Sequence, residues 1–196
     1  IRGGPGIPEN FLAYPDFDGT ANGRFDFSTH SGDFNWGDPT WKGGRGSEII
    51  GAVNYLAEQG QNTIYVMPNT AGGDGRDVWP WVGDFSGVAQ HDSGVAWNER
   101  DRFSTSDVSK LEHWAIVFDH MDHKGIYKNF VLQEQENDQM LNWGTSVAGS
   151  ILSVERLVYM REMVARFGHA NGIQWNMGEE NTNTDAQRAE MARYLK

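Results

Sequence analysis

The sequence predicts an α/β fold with a parallel sheet, because strand-like and helix-like apolar patterns alternate along it. Four stretches repeat apolar residues at the spacing of one helix face, at residues 47–59, 107–124, 151–167 and 184–196. Strand-like runs lie between them at residues 63–67, 126–132 and 173–177, with residues 1–4 as the stub of a further strand. The resulting βαβαβαβα order is typical of a parallel sheet covered by helices. In the third helix the face predicted to be buried consists of Val154, Leu157, Val158, Met163 and Val164.

The connections differ in length at the two ends of the predicted strands. Links from a helix to the next strand are short, at residues 60–62, 125 and 168–172, and each contains the glycine expected at a helix C-cap. Links from a strand to the next helix are long, at residues 5–46, 68–106 and 133–150. Long loops on one face of a rigid scaffold usually carry function, and in a (β/α)₈ barrel that face holds the active site.

We therefore expect residues 1–196 to form the N-terminal half of a (β/α)₈ TIM barrel, with roughly the first four βα units. A doubly wound open sheet is the competing fold, but no Gly-x-Gly-x-x-Gly turn follows any predicted strand. Half a barrel leaves open strand edges and an uncovered face. The remaining half is expected from residues outside this sequence or from another chain.

The composition excludes several classes of partner. The chain has 27 acidic and 16 basic residues, and a net charge of -11 argues against nucleic acid and anionic membrane surfaces. No apolar run approaches the roughly 18 residues of a membrane span. The absence of cysteine excludes disulfides and thiolate chemistry. Neutral polymers and small neutral ligands remain compatible with this composition.

Two adjacent carboxylates, Glu179 and Glu180, follow the last predicted strand and precede a helix with a capping-box pattern at Thr184 and Gln187. Side chains alternate along a strand, so the large apolar residues of this strand are expected to face the helices. Extending the alternation predicts that Glu180 points into the barrel and that Glu179 does not. One inward acid at a strand end suits a general acid. The alternative is that both glutamates only stabilise the N-terminus of the next helix dipole.

Polar and aromatic residues after the other strands complete the candidate site. Gln133 and Glu134 begin a segment rich in amides and carboxylates, which could bind sugar hydroxyls or form a solvated acidic loop. Asn69 begins a glycine-rich loop that leads to Trp79 and Trp81. These two tryptophans could form a flat platform for a sugar ring, or could pin the long loop to the domain. The substrate-binding set also includes two residues of the last strand, Trp175 and Asn176, and Trp36 and Trp41 are lesser candidates for sugar contact.

Metal and cofactor motifs are weak in this sequence. Residues 16–19 faintly resemble a calcium loop, but the further ligands of an EF-hand are missing. His120 and His123 share a helix face without a third ligand nearby. There is no His-Glu-x-x-His, no Gly-x-Ser-x-Gly and no P-loop. We therefore expect neither a metal site nor a cofactor.

Five motifs stand out along the sequence: PENFLAY at residues 8–14, GDPTWKG at 37–43, GGDGRDVWPW at 72–81, LQEQEND at 132–138 and MGEENT at 177–182. Together they resemble a family of secreted bacterial proteins with a glycoside-hydrolase-like TIM barrel. Members of this family often carry an N-terminal DUF-type β-sandwich and a domain assigned to collagen binding. The resemblance implies an extracellular or periplasmic location and a carbohydrate polymer as partner.

The resemblance extends to the wider clan A of retaining glycoside hydrolases, whose fourth strand ends in Asn-Glu with the glutamate as acid/base. Laid on residues 178–180, this rule places the acid/base at Glu180 and puts Glu179 where asparagine is usual. The nucleophile of the clan is a glutamate at the end of the seventh strand, beyond this sequence. The implied activity is retaining hydrolysis of a polysaccharide. The rival interpretations are a catalytically silent carbohydrate-binding or surface-scaffold barrel, and a polysaccharide lyase with Tyr65 or His91 as base.

Overall fold

The computed structural model of the protein describes residues 11–17, 26–73, 77–85, 103–142 and 150–196. Within these ranges the α-helices are α1 (Ser47–Glu58), α2 (Val108–His123), α3 (Val154–Phe167) and α4 (Asp185–Leu195). The strands there are β1 (Thr63–Val66), β2 (Tyr127–Val131) and β3 (Ile173–Asn176). The α/β class and the alternation of strands with helices are confirmed. The predicted strand stub at residues 1–4 lies outside the described residues, and closure into a barrel stays a prediction.

The three strands form one parallel sheet in the order β1-β2-β3. One face packs on the helices, where the ring of Phe130 lies 5.7 Å from both Phe118 of α2 and Phe167 of α3. Because side chains alternate along a strand, the neighbours of Phe130 turn to the opposite face. That face, called the inner face below, carries the row of register partners Tyr65, Asn129 and Gln174.

Capping side chains mark where α3 and α4 begin. In α4 the predicted capping box is confirmed, because Thr184 accepts from the backbone N–H of Gln187 while the Gln187 side chain accepts from the backbone N–H of Thr184. In α3 the helix starts later than predicted, at Val154, because the Ser153 side chain accepts from the backbone N–H of Arg156 at 3.1 Å.

The buried face of α3 differs in part from the predicted one, because Met163 is buried as predicted and Val154 is not. Val154 is 63% exposed, whereas Arg156 and Tyr159 are each 2% exposed. The prediction counted only apolar periodicity, and the true face contains a buried cation whose partners lie far away in the sequence. Relative to the predicted orientation, α3 is rotated about its axis, and Arg156 reaches the loops at the strand ends.

A buried polar chain joins α1 to α2. Asn54, 1% exposed, donates from Nδ2 to Asp38 Oδ2 at 2.7 Å and to the backbone oxygen of Asp33 at 2.8 Å. Its Oδ1 therefore faces His120 Nε2, at 2.8 Å, and Nε2 carries the proton in the neutral ring. Burial lowers the pKa of His120, and Lys124 and His123 lower it further, although Asp38 opposes them.

We expect this histidine to make stability depend on pH. The folded state binds a proton on His120 less readily than the unfolded state, so its contribution is complete above about pH 6.5 and declines as pH falls towards the lower folded pKa. Urea unfolding of the wild type should therefore show a lower unfolding free energy at pH 5.5 than at pH 7.5. His120→Gln keeps a donor for Asn54 and should flatten part of this slope. Some slope should remain, because burial also lowers the pKa of His113. If the unfolding free energy changes with pH equally in the wild type and in His120→Gln, His120 is not the cause of the pH dependence.

Candidate active site

The carboxyl ends of the three strands lie side by side, and predicted site residues follow directly after them. Asn137 connects the first two ends, because its Nδ2 donates to the backbone oxygen of Asn69 at 3.3 Å and to Glu134 Oε1 at 3.2 Å. Its Oδ1 also accepts from the backbone N–H of Glu134 at 3.1 Å. The backbone N–H of Glu179 donates to the backbone oxygen of Gln133 at 3.0 Å, which connects the second end to the third. The structure therefore brings these four predicted residues to one edge of the sheet, called the carboxyl edge below.

Glu179 reaches the inner face of the sheet. The hydroxyl of Tyr65, in β1, donates a hydrogen bond to Glu179 Oε2 across the width of β2. Burial raises the pKa of Tyr65, and the hydrogen bond to Glu179 and the charges of Glu179 and Glu134 raise it further. Tyr65 is therefore a hydrogen-bond donor to a carboxylate and not a base, which disfavours the lyase interpretation. The other base considered for a lyase, His91, lies outside the described residues.

The predicted orientation of the two adjacent glutamates is wrong for Glu179, which was expected to point away from the inner face. Alternation ends with β3 at Asn176, whose Oδ1 accepts from the backbone N–H of Gly178 at 3.1 Å. Gly178 then has a φ of 149° and Glu180 a φ of 44°, so the backbone turns before the carboxylates. The strand pattern cannot be extended through this turn.

Glu180 is exposed and makes no hydrogen bond or ion pair with the part of the chain that the structure describes. Its φ of 44° is the only positive value of a non-glycine residue among the described residues. This left-handed conformation costs a non-glycine residue about 1 kcal/mol, and such strain clusters at functional sites. The turn thus presents a carboxylate that no neighbour in the described residues holds.

Glu134 is held in place from several sides. Its side chain is nearly buried, at 8% exposure, and Asn137 donates to its Oε1. The backbone of Gly73, in the loop after β1, lies against the carboxylate so closely that a Cβ at position 73 would be 1.7 Å from Oε1. Glycine at this position therefore allows the loop after β1 to close over the carboxylate.

Gln133 is directed to a buried cation. It is 2% exposed, and its Oε1 accepts from Arg156 Nη1. Arg156 Nη2 donates to the backbone oxygen of Asp138 at 2.6 Å and to Asn142 Oδ1 at 2.8 Å. Asp138 Oδ2 in turn accepts from the backbone N–H and hydroxyl of Thr182, at 2.5 Å and 2.8 Å. These contacts fasten the loop after β2 to the loop after β3, and we call the set the Arg156 network.

Burial lowers the pKa of Arg156 to about 10, although the charge of Asp138 opposes the shift. The direction reflects the cost of placing a guanidinium where water cannot reach it. Among the predicted site residues, Gln133 therefore supports the loops in this structure, because its amide oxygen accepts a hydrogen bond from Arg156.

Asn69 is fully buried, and its Oδ1 accepts from the backbone N–H of Ala71 at 3.4 Å.

Trp79 and Trp81 do not form the predicted exposed platform, because each is only 1% exposed. The ring of Trp81 lies 5.0 Å from Phe103 and 5.6 Å from Tyr159. Trp79 Nε1 donates to the backbone oxygen of Gly83 at 2.9 Å. The structure therefore supports the alternative in which these tryptophans pin the long loop to the domain.

The other aromatic and strand candidates lie in different surroundings. Trp175 packs on the helix side of the sheet, 5.0 Å from Phe130, so it does not reach the inner face as a substrate contact requires. Asn176 is half-buried, with its Oδ1 bonded to the turn at Gly178. Trp41 is 7% exposed and stacks on His113 at 4.8 Å, whereas Trp36 is fully exposed.

The residues that sequence reasoning missed are Tyr65 as partner of Glu179, Asn137 as the link between strand ends, and Arg156. For Tyr65 a signal existed, because the buried residues Ile64 and Val66 flank it and alternation sends it to the inner face.

Among the described residues no group of three or more histidine, aspartate or glutamate side chains could hold a metal ion. Residues 18 and 19 of the weak calcium motif lie outside those described. None of the described helices is long and apolar enough to cross a membrane.

Comparisons with known proteins give only distant likenesses. No protein-family model and no curated protein matches the sequence. A glycoside hydrolase family 5 protein from Bacteroides vulgatus ATCC 8482 has a similar structure, with a TM-score of 0.44 and 14% identity over 76% of this chain and 28% of that one. A second protein from the same organism, provisionally described as a glycoside hydrolase, gives a TM-score of 0.49 and 15% identity over 73% of this chain and 28% of that one. The chain thus spans little more than a quarter of either neighbour, and its function is inferred from its own site.

Proposed function

We propose that this chain supplies the acid/base half of a (β/α)₈ barrel that hydrolyses glycosidic bonds in a polysaccharide outside the cytoplasm. The observation that carries the proposal is the meeting of Tyr65, Glu134 and Glu179 at the carboxyl edge of a parallel sheet, with Glu180 next to Glu179 in the turn that follows β3. In barrel enzymes the catalytic groups occupy this edge. A second half, from beyond this sequence or from another chain, would close the barrel over the inner face.

The two adjacent glutamates suit different roles. Glu179 accepts from Tyr65 through its side chain and donates from its backbone to Gln133, so its position is fixed. Glu180 has no such partner and stands at a turn with a φ of 44°. We assign Glu180 as the general acid that protonates the leaving glycosidic oxygen and then, as base, activates water. The sequence resemblance to clan A supports the same residue and a retaining outcome, for which the nucleophile lies about 5–5.5 Å from the acid/base.

Glu179 stands where the clan usually has an asparagine that touches the sugar 2-hydroxyl. A carboxylate at this position accepts hydrogen bonds only, so a sugar hydroxyl would donate to it. Tyr65 holds the carboxylate for that contact. Glu134, nearly buried and bonded to Asn137, adds a second fixed acceptor at the same edge.

The proposal is tested by incubating the full-length protein with neutral and acidic plant and algal polysaccharides and counting reducing ends. Release of reducing ends, with the product anomer followed by NMR, supports hydrolysis and reports whether configuration is retained. Binding without cleavage across the panel would instead establish the silent carbohydrate-binding barrel. Products with an unsaturated sugar at the non-reducing end, detected by their ultraviolet absorbance, would indicate a lyase.

Tyr65→Phe is expected to lower kcat/KM by roughly 10- to 100-fold, because a hydrogen bond to a charged group contributes about 1.5–3 kcal/mol. The loss should appear without a large fall in thermal stability, since the phenyl ring still fills the same space. Tyr55→Phe is the matched control, because Tyr55 is 40% exposed on α1 and takes no part in the site. Equal kinetics for Tyr65→Phe and the wild type would show that the contact with Glu179 has no role in turnover.

A further inference from the structure

Trp36 is the only fully exposed large apolar side chain among the described residues, at 101% of its reference area. It stands at the tip of a closed turn. The backbone N–H of Asp38 donates to the backbone oxygen of Asn35 at 3.1 Å, and the backbone N–H of Asn35 donates to Asp38 Oδ2 at 2.9 Å. Gly37, next to the tryptophan, has the φ of 91° that this turn requires. The indole is therefore presented on a fixed backbone.

The turn is anchored in the interior of the protein. Asp38 Oδ2, which closes the turn, also accepts from the buried Asn54 of α1 at 2.7 Å. Burial acts to raise the pKa of Asp38, but hydrogen bonds from Asn54 and Asn35 outweigh it and lower the pKa below its ordinary value. The carboxylate therefore stays ionised at neutral pH and keeps the turn in place. The hydrogen bonds of Asp38 therefore hold the turn in the conformation that exposes the indole ring of Trp36.

An open cavity of about 640 Å³ adjoins the turn. Asp38 and Pro39 line one side of it, and α2 with the residue after it lines the other through Ile116, Asp119, His123 and Lys124. Apolar groups and hydrogen-bonding groups therefore line the same space. Its charged lining residues are two carboxylates and one ammonium, a balance that does not select a polyanion.

This cavity lies far from the carboxyl edge. The helix α2 has 16 residues and is about 24 Å long, and its last turn, with His123, lies at the end from which β2 starts. Glu179 lies at the opposite end of the strands. The cavity and the carboxyl edge are therefore separate sites.

We propose that Trp36 and the adjoining cavity form a second carbohydrate-binding site, which takes an uncharged saccharide chain. The CH face of a sugar ring stacks on the indole, while its hydroxyls bond to Asp119, His123 and Lys124. Asp119 is accessible for this contact, because 59% of its side chain is exposed even with its Oδ1 3.6 Å from His169 Nε2. A mixed apolar and polar cavity with a few convergent polar groups is the usual form of a small-ligand site.

The size of the apolar surface favours a saccharide over a protein partner. A stable protein interface buries about 800 Å² on each side around an apolar centre. A single tryptophan supplies roughly 150–250 Å², which matches one sugar ring. A site of this kind would keep a polymer near the carboxyl edge and raise its effective concentration there. The inference does not depend on the proposed hydrolysis, because binding at Trp36 needs no cleavage.

The test is affinity gel electrophoresis of the full-length protein in gels that contain mixed-linkage glucan, galactomannan or arabinoxylan. Trp36→Ala is expected to raise the Kd for at least one of these polymers about tenfold or more, the effect of losing a tryptophan at the centre of a binding site. Its unfolding midpoint and its activity on a short soluble oligosaccharide should match the wild type. Val154→Ala is the control for loss of an exposed apolar side chain, since Val154 is 63% exposed on α3, and should bind as the wild type does.

Several outcomes would overturn the inference. Equal retardation of Trp36→Ala and the wild type would place the binding elsewhere, and no retardation of the wild type by any neutral polymer would remove the site altogether. A dimer in sedimentation velocity that Trp36→Ala converts to a monomer would make the turn a contact between copies of the chain. Failure of the protein to cleave any polysaccharide would count against the proposed hydrolysis alone, because retardation is measured without turnover.

Discussion

Glu180→Gln is expected to lower the turnover of a polysaccharide by roughly 10²–10⁴-fold, the range for removal of a general acid. Glutamine has the shape of glutamate but neither donates a proton to the leaving oxygen nor accepts one from water. Glu180 is exposed and has no hydrogen-bond partner in the described residues, so the fold does not depend on its charge. The unfolding midpoint and polymer binding should therefore survive. The measurement is initial rates of reducing-end release by the full-length protein, with binding followed in parallel.

Two matched variants separate the possible roles. Glu136→Gln changes a partly exposed carboxylate in the segment after β2 and should leave turnover near the wild-type value. Glu179→Gln keeps an acceptor for Tyr65 and should have a smaller effect than Glu180→Gln. If Glu179→Gln abolishes turnover while Glu180→Gln retains it, the acid/base is Glu179. If both variants turn over as the wild type does, neither glutamate is the acid.

The elements with local signals could be predicted from the sequence. The helix α4 begins where its capping box predicts, because a cap needs only residues three positions apart. The parallel strands β1, β2 and β3 could be placed from short apolar runs between helices. The burial of Arg156 on α3 could not be predicted, because it depends on contacts with residues 133, 138 and 142, and periodicity assigns a charged side chain to the surface.

In the candidate site, too, some features could be predicted from the sequence and others could not. The sequence predicted that Glu180 lies with Gln133 and Asn69, because the carboxyl ends of parallel strands share one edge of the sheet. In the structure Asn69, Gln133, Glu134 and Glu179 are joined by hydrogen bonds at that edge, whereas Glu180 makes no such contact with the described residues. The direction of Glu179 could not be predicted, since alternation holds only while the backbone is extended and the turn after β3 is not.

The aromatic part of the prediction failed for a different reason. Composition indicates that Trp79 and Trp81 are large and apolar, but their burial depends on distant residues such as Phe103 and Tyr159. Trp36 has the same chemistry and is fully exposed, because a closed turn keeps it away from the core. Tertiary packing, which a single sequence does not show, decides between these two outcomes.

Arg156→Met is expected to lower the free energy of unfolding by about 3–5 kcal/mol, because three acceptors lose their donor at a cost of about 1–3 kcal/mol for each that is buried. Methionine fills much of the space of the arginine stem but donates no hydrogen bond. Its introduction leaves Gln133 Oε1, the backbone oxygen of Asp138 and Asn142 Oδ1 without their shared donor, and each unpartnered buried acceptor costs about 1–3 kcal/mol. Asp138 itself, fully buried, would also lose the nearby positive charge.

The measurement is urea unfolding of the wild type and of two matched variants. Arg161→Met replaces an exposed arginine on the same helix and should change stability by less than about 0.5 kcal/mol. Arg156→Lys keeps the charge but cannot donate to three separated acceptors from one planar group, so its loss should lie between the other two. A loss for Arg156→Met no larger than that of Arg161→Met would mean that water replaces the guanidinium and that the Arg156 network does not hold the two loops together. Because those loops carry Glu134, Glu179 and Glu180, a destabilised variant that still folds should also bind polysaccharide more weakly at the carboxyl edge.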